Sequence, residues 1–118
     1  MTEVLVTTEF EAWWDGLSAD AQEDVAFVVG LLEARGVGLG FPHSSAIRGS
    51  HMRLRELRVR SGGQALRILY AFDPWRSAIL LIGGSKSGRE ERFYAEMVPR
   101  AERLYQEYLT RRRREGTD

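Results

Sequence analysis

The sequence predicts an α+β domain: a small, antiparallel-rich β-sheet packed against two N-terminal helices and a C-terminal helix. Three observations carry that expectation. The first 35 residues place apolar side chains at helical spacing, residues 53–82 alternate and turn as strands do, and helical spacing returns after Phe93. At 118 residues the chain has the length of one domain, expected to span 1–118, and such a chain hides roughly two-thirds of its unfolded surface.

The elements follow in order. Val4-Leu5-Val6-Thr7 is a short strand, and Phe10, Trp13, Trp14 and Leu17 then fall at i, i+3, i+4 and i+7 on one helix face. Trp13 belongs to the core on that spacing, although tryptophan can also stack on a nucleobase. Ser18 is the N-cap of a second helix, with Asp20, Glu23 and Asp24 in its first turns and Gly36 at its end. Its buried stripe is Val25, Val28, Val29 and Leu32. Residues 36–52, rich in glycine, read as one long loop.

Three strands come next: Arg53–Arg60, Gln64–Phe72 and Ser77–Ile82. Ser61-Gly62-Gly63 is a hairpin turn, and Asp73-Pro74-Trp75-Arg76 a second tight turn. Leu66, Ile68, Tyr70 and Phe72 point one way and Arg67 the other, so one sheet face should bury against helices and the other present arginines. Ile79–Ile82 is apolar on both sides and reads as a central strand. Pro99 should restart a helix at its first turn, because proline cannot continue one without a break. Ala101, Leu104, Tyr105 and Tyr108 are the apolar stripe of that last helix. The four arginines 111–114 open an expected disordered basic tail over 111–118.

Charge is distributed very unevenly. From Arg48 to Arg89 there are nine basic side chains against two acids, Glu56 and Asp73, whereas residues 1–47 hold eight acids against Arg35 alone. The net charge of zero hides this asymmetry, which points to a polyanionic partner, with RNA first among candidates. Of 17 basic residues only Lys86 is lysine. A GC-rich genome would produce that bias, but clustered guanidinium groups also suit phosphate recognition. With no cysteine there is neither a disulfide framework nor a thiolate metal site. The N-terminus lacks a signal pattern and no apolar run could span a bilayer, so a soluble cytoplasmic protein without membrane contact is expected.

Several residues are candidates for chemistry. A lone charged residue on a strand is usually solvated surface, but Arg67 sits mid-hairpin beside Arg58 and Arg60 and across from the Lys86 loop, which favours function. Arg58 and Arg60 also have a bland reading, since edge strands carry charge against aggregation. The segment Gly83–Gly88 is not a Walker A loop; it is a glycine-flanked lysine between a strand and a helix. His43 and His51 have no carboxylate cluster beside them, so no metal site and no cofactor are expected. RNA cleavage would then proceed through attack of a 2′-hydroxyl on the adjacent phosphate. That needs a proton acceptor, a donor for the leaving oxygen, and cations for the phosphorane charge. His51, Tyr94 and Lys86 can exchange protons, while Arg67 and Arg58 supply only charge and hydrogen bonds. Tyr94 reads equally well as a core aromatic with its hydroxyl at the surface. Arg48, Arg55, Arg60, Arg76 and Arg89 are the expected further RNA contacts.

The motifs Leu54-Arg55-Glu56-Leu57-Arg58-Val59, Arg67-Ile68-Leu69-Tyr70-Ala71-Phe72-Asp73-Pro74, Ile79–Lys86 and Phe93-Tyr94 occur in this order. Phe10–Trp14 precedes them and Pro99–Tyr105 follows. Together they resemble the phage-derived HigB-like branch of the RelE/ParE superfamily, toxins of type II toxin–antitoxin systems, over nearly the whole chain. The resemblance implies a RelE-like fold and a ribosome-dependent endoribonuclease that cuts messenger RNA in the A site of the 70S ribosome. It also implies a cognate helix-turn-helix antitoxin. Arg67 matches the arginine on the scissile phosphate, Arg58 a basic residue of the preceding strand, Lys86 and Arg89 the basic loop, and Tyr94 the aromatic hydroxyl early in the last helix. His51 completes the expected catalytic set. Where the family's loop reads Gly-Gly-Asp-Lys this chain has Ser85, a departure that bears on how the lysine is oriented. Two other outcomes stay open: a ParE-like inhibitor of gyrase that is not an enzyme, and a degenerate RNA-binding remnant.

Overall fold

The structure is a computed structural model describing residues 1–88 and 90–116. Five strands form one sheet in the order β1-β5-β4-β3-β2: β1 (Val4–Val6), β2 (Ser44–Ala46), β3 (Arg55–Ser61), β4 (Gln64–Phe72) and β5 (Ala78–Ser85). Only β1 and β5 are parallel; the remaining pairs are antiparallel. Helices α1 (Thr8–Asp15) and α2 (Ala19–Arg35) pack on one face, and α3 (Glu90–Glu115) covers the other. This is the expected α+β arrangement.

Local chemistry explains the boundaries. Thr7 and Ser18 cap α1 and α2, their hydroxyls accepting from the amides of Phe10 and Ala21, donors that would otherwise lack partners. Val25, Val28 and Leu32 of α2 bury against Leu57, Val59, Leu66, Ile68 and Tyr70. On the opposite face Phe93, Met97, Ala101, Leu104 and Tyr105 of α3 pack on Leu69, Ala71, Ile79 and Leu81. Both layers are close-packed, as Gly83 and Gly84 show. A Cβ on Gly83 would collide with the Trp13 ring, and one on Gly84 would lie 3.0 Å from Phe93.

Four expectations are corrected here. The sheet has no bare arginine face, because α3 lies along it and β4 is buried on both sides. Pro99 does not divide the last helix; α3 runs through it, since Met97 before it and Ala101 after it share one buried stripe. The expected tail is helical through Glu115, with Arg112 reaching Tyr108 and Asp73; residues 117 and 118 lie outside the described residues. Finally, the long loop contains the short β2, whose partner residues are Arg55, Glu56 and Leu57.

Candidate functional site

Strand register brings the basic residues together. In the β3–β4 hairpin Arg58 lies opposite Arg67, and Arg60 opposite Ala65. Across β4, Arg67 pairs with Gly84, and the Lys86 amide donates to the Ala65 carbonyl at 2.8 Å. Side chains alternate along a strand, so Arg58, Arg60, Arg67 and Lys86 share the α3 face of the sheet. The expectation that Arg67 and Lys86 lie on one side is met.

The expectation of an outward Arg67 is overturned. Arg67 is only 6% exposed, and its Nε lies 3.8 Å from Oε1 of Glu56, itself 5% exposed. An internal ion pair of this kind counts against a guanidinium presented freely to a ligand. The pair is nonetheless incomplete. Nη1 donates to the Leu66 carbonyl at 3.0 Å, but Nε is buried without a hydrogen-bond partner, the one such side-chain nitrogen or oxygen among the described residues. The cause is that Glu56 is shared: Oε1 accepts from the Tyr94 hydroxyl, while Oε2 accepts from Ser45 at 2.9 Å and from Arg58 Nη1 at 3.2 Å.

Glu56 was not among the candidates that sequence reasoning singles out. Its sequence signal was its place as a lone acid among Arg53, Arg55, Arg58 and Arg60, where a buried counter-charge is needed. Burial first, then the hydrogen bond and charge of Glu56, push the Tyr94 hydroxyl up to about 12. The hydroxyl keeps its proton at neutral pH and donates it in a hydrogen bond to Glu56. The Lys86 ammonium lies 3.5 Å from Glu90, and Ser85 pairs with Ser87 instead of the lysine. Gly83, Gly84 and Ser85 are the last residues of β5 rather than a loop.

Other candidates are distributed differently. Arg60 lines a cleft of about 400 Å³ together with Arg58, Arg67, Phe27, Pro42 and His43. Arg48 borders Tyr94 and Glu56 from the side of β2. Arg55 is excluded from the group: it lies on the opposite sheet face, donating to Ser44 and to the Tyr70 hydroxyl. Arg76 sits in the β4–β5 turn at the far end of β4, with φ 71°. His51 is also separate, its amide donating to Glu102, eight residues and so about 12 Å along α3 from Tyr94. Arg89 lies outside the described residues. Among the described residues no three His, Cys, Asp or Glu side chains cluster as metal ligands, and no helix is long and apolar enough to cross a membrane.

An α+β sheet with arginines, a buried carboxylate and a tyrosine gathered at its last helix defines a small domain, neutral overall, with a basic polar cluster between sheet and helix. The chain belongs to the family described as phage derived protein Gp49-like (DUF891), whose model matches residues 12–106. It is 37% identical to "Putative toxin HigB3" of Mycobacterium tuberculosis (strain ATCC 25618 / H37Rv), over 90% of this chain and 92% of that protein. It is 41% identical to "Putative toxin HigB2" of the same organism, over 83% of this chain. The chain spans about half the length of HigB2, the match covering 50% of it. No solved structure matches the chain.

Proposed function

We propose that this chain is the toxin of a toxin–antitoxin pair and that it cleaves ribosome-bound messenger RNA without a metal ion. The toxin reading rests on the names of its two relatives together with family membership. A helix-turn-helix antitoxin would be its partner, and the ribosomal A site its place of action. The nuclease reading rests on one observation, the unpartnered Nε of Arg67 beside a carboxylate that Arg58 and Tyr94 also share. A buried donor left unmade costs about 1–3 kcal/mol. A phosphate oxygen would satisfy it once the Arg67 side chain swings out of its buried seat beside Glu56. With Glu56 set against Arg58 and Arg67, the cluster carries one excess positive charge, matching one phosphodiester.

The roles then follow from chemistry. The substrate's 2′-hydroxyl gives up its proton to solvent as its oxygen bonds to phosphorus, the bond from phosphorus to the 5′-oxygen breaks, and the 5′-oxygen takes a proton, so the products are a 2′,3′-cyclic phosphate and a 5′-hydroxyl. Arg67 and Arg58 remain charged at any working pH and neutralise the phosphorane. Tyr94, which holds its proton at neutral pH, delivers it to the leaving oxygen. Glu56 positions all three. Lys86 adds charge from the neighbouring row, and Arg48 and Arg60 flank the path of the chain.

The test is expression of Arg67→Lys, which keeps the charge beside Glu56 but loses the planar fork. Growth arrest and cleavage of ribosome-bound message should fall about 100-fold or more, with the melting temperature near wild type. Undiminished arrest by that variant, or arrest by the wild type with message intact and gyrase inhibited, would overturn the proposal.

A further inference from the structure

The cleft on the outer edge of β3 has a second wall that the phosphate chemistry does not use. On one side are Arg58, Arg60 and Arg67; on the other, α2 contributes Asp24, Phe27 and Val28, and the segment before β2 contributes Pro42 and His43. Phe27 is 65% exposed, a large apolar side chain held in water at the mouth of a basic cleft. Its only aromatic neighbour among the described residues is His43, edge-on at 6.5 Å and 70°, which leaves a ring face open. Phe41, 76% exposed, has the Arg58 guanidinium over its ring at 5.2 Å. Trp75 is different: the chain's own Arg112 covers it at 4.6 Å.

We propose that Phe27 and His43 form a subsite for one nucleobase of the RNA whose phosphate lies at Arg58 and Arg67. The volume, about 400 Å³, falls in the range of small-molecule sites. Base–aromatic stacking is the standard means by which proteins hold an unpaired base, and an adjoining cation fixes its phosphate. The edge of the base also has partners. β2 covers only Arg55–Leu57 of β3. Since the Arg58 amide points outward to His43, the alternation of the ladder turns the Arg60 backbone N–H and C=O the same way, with no strand beyond. Asp24, exposed one helical turn before Phe27, can accept from an exocyclic amine.

This inference rests on the assignment of phosphate to Arg58 and Arg67, and its test separates the two. The wild type, Phe27→Ala and His43→Ala would be titrated calorimetrically with adenosine 3′-monophosphate and with ribose phosphate lacking a base. Wild type should bind the nucleotide about tenfold more tightly than the sugar phosphate. Each variant should lose that preference while keeping its affinity for ribose phosphate. Equal affinity for the two probes, or a Phe27→Ala variant that discriminates as well as wild type, overturns the subsite. Cleavage of ribosome-bound message is measured alongside. Cleavage without base discrimination removes the subsite alone, whereas discrimination without cleavage supports the subsite and removes the nuclease reading.

Discussion

The basic stretch contains two acids, and the structure buries both against α3 in similar settings with opposite consequences. Asp73 accepts from the amides of Trp75 and Ser77 at 2.9 and 2.8 Å and from the Tyr108 hydroxyl at 2.6 Å, with Arg112 at 3.8 Å. Glu56 accepts from Ser45, Arg58 and Tyr94, with Arg67 at 3.8 Å. Each pairs a carboxylate of the sheet with a tyrosine of α3, and each tyrosine is pushed up to about 12. The difference lies in what remains. Asp73 closes the β4–β5 turn with backbone donors that never leave it. Glu56 is held only by side chains, and beside it a buried guanidinium N–H has no hydrogen-bond partner. A saturated carboxylate holds a fold together; an oversubscribed one leaves a neighbouring donor unmet.

Removing each carboxylate should therefore do different damage. Asp73→Ala strands two turn amides and Tyr108, and should cost about 3 kcal/mol in urea unfolding, with cleavage per folded molecule unchanged. Glu56→Gln should also destabilise, by about 3 kcal/mol, because buried Arg67 loses its counter-charge, and in addition it should lower cleavage per folded molecule about 100-fold. If Asp73→Ala lowers cleavage per folded molecule as much as Glu56→Gln does, the contrast between the sites is wrong. The tyrosines give a milder version. Tyr94→Phe should reduce cleavage about tenfold or more and Tyr108→Phe should leave it intact, losing instead about 1 kcal/mol. Both hydroxyls also mark pH. The folded chain keeps protons that the unfolded chain releases above the ordinary tyrosine value of 10.0. Their contribution is fully present below that value and falls as pH climbs toward about 12. Urea unfolding across that window should show the decline, and the slope should shrink in Tyr108→Phe.

Much of this was legible in the sequence. The Ser18 cap, the end of α2 at Gly36 and the β3–β4 hairpin follow from local chemistry, and two-residue alternation alone places Arg58, Arg67 and Lys86 on one face. What failed depends on distant packing. Arg67 reads as outward because alternation reports faces, not what covers them, and α3, separated by the Lys86 loop, covers that face. Pro99 reads as a break because a local rule cannot weigh one stripe buried on both sides of it. β2 has three residues, too few for periodicity, and exists because β3 offers an edge. Glu56 gave only its sign; its hold on Tyr94, 38 residues away, is a property of the folded chain.

The most direct measurement maps the ends of ribosome-bound message after incubation with the purified chain and with Glu56→Gln, both shown to be folded. The wild type should leave 5′-hydroxyl and 2′,3′-cyclic phosphate ends, and Glu56→Gln almost none. Equal cleavage by both, or message left whole by the wild type, would contradict a reactive centre organised by Glu56.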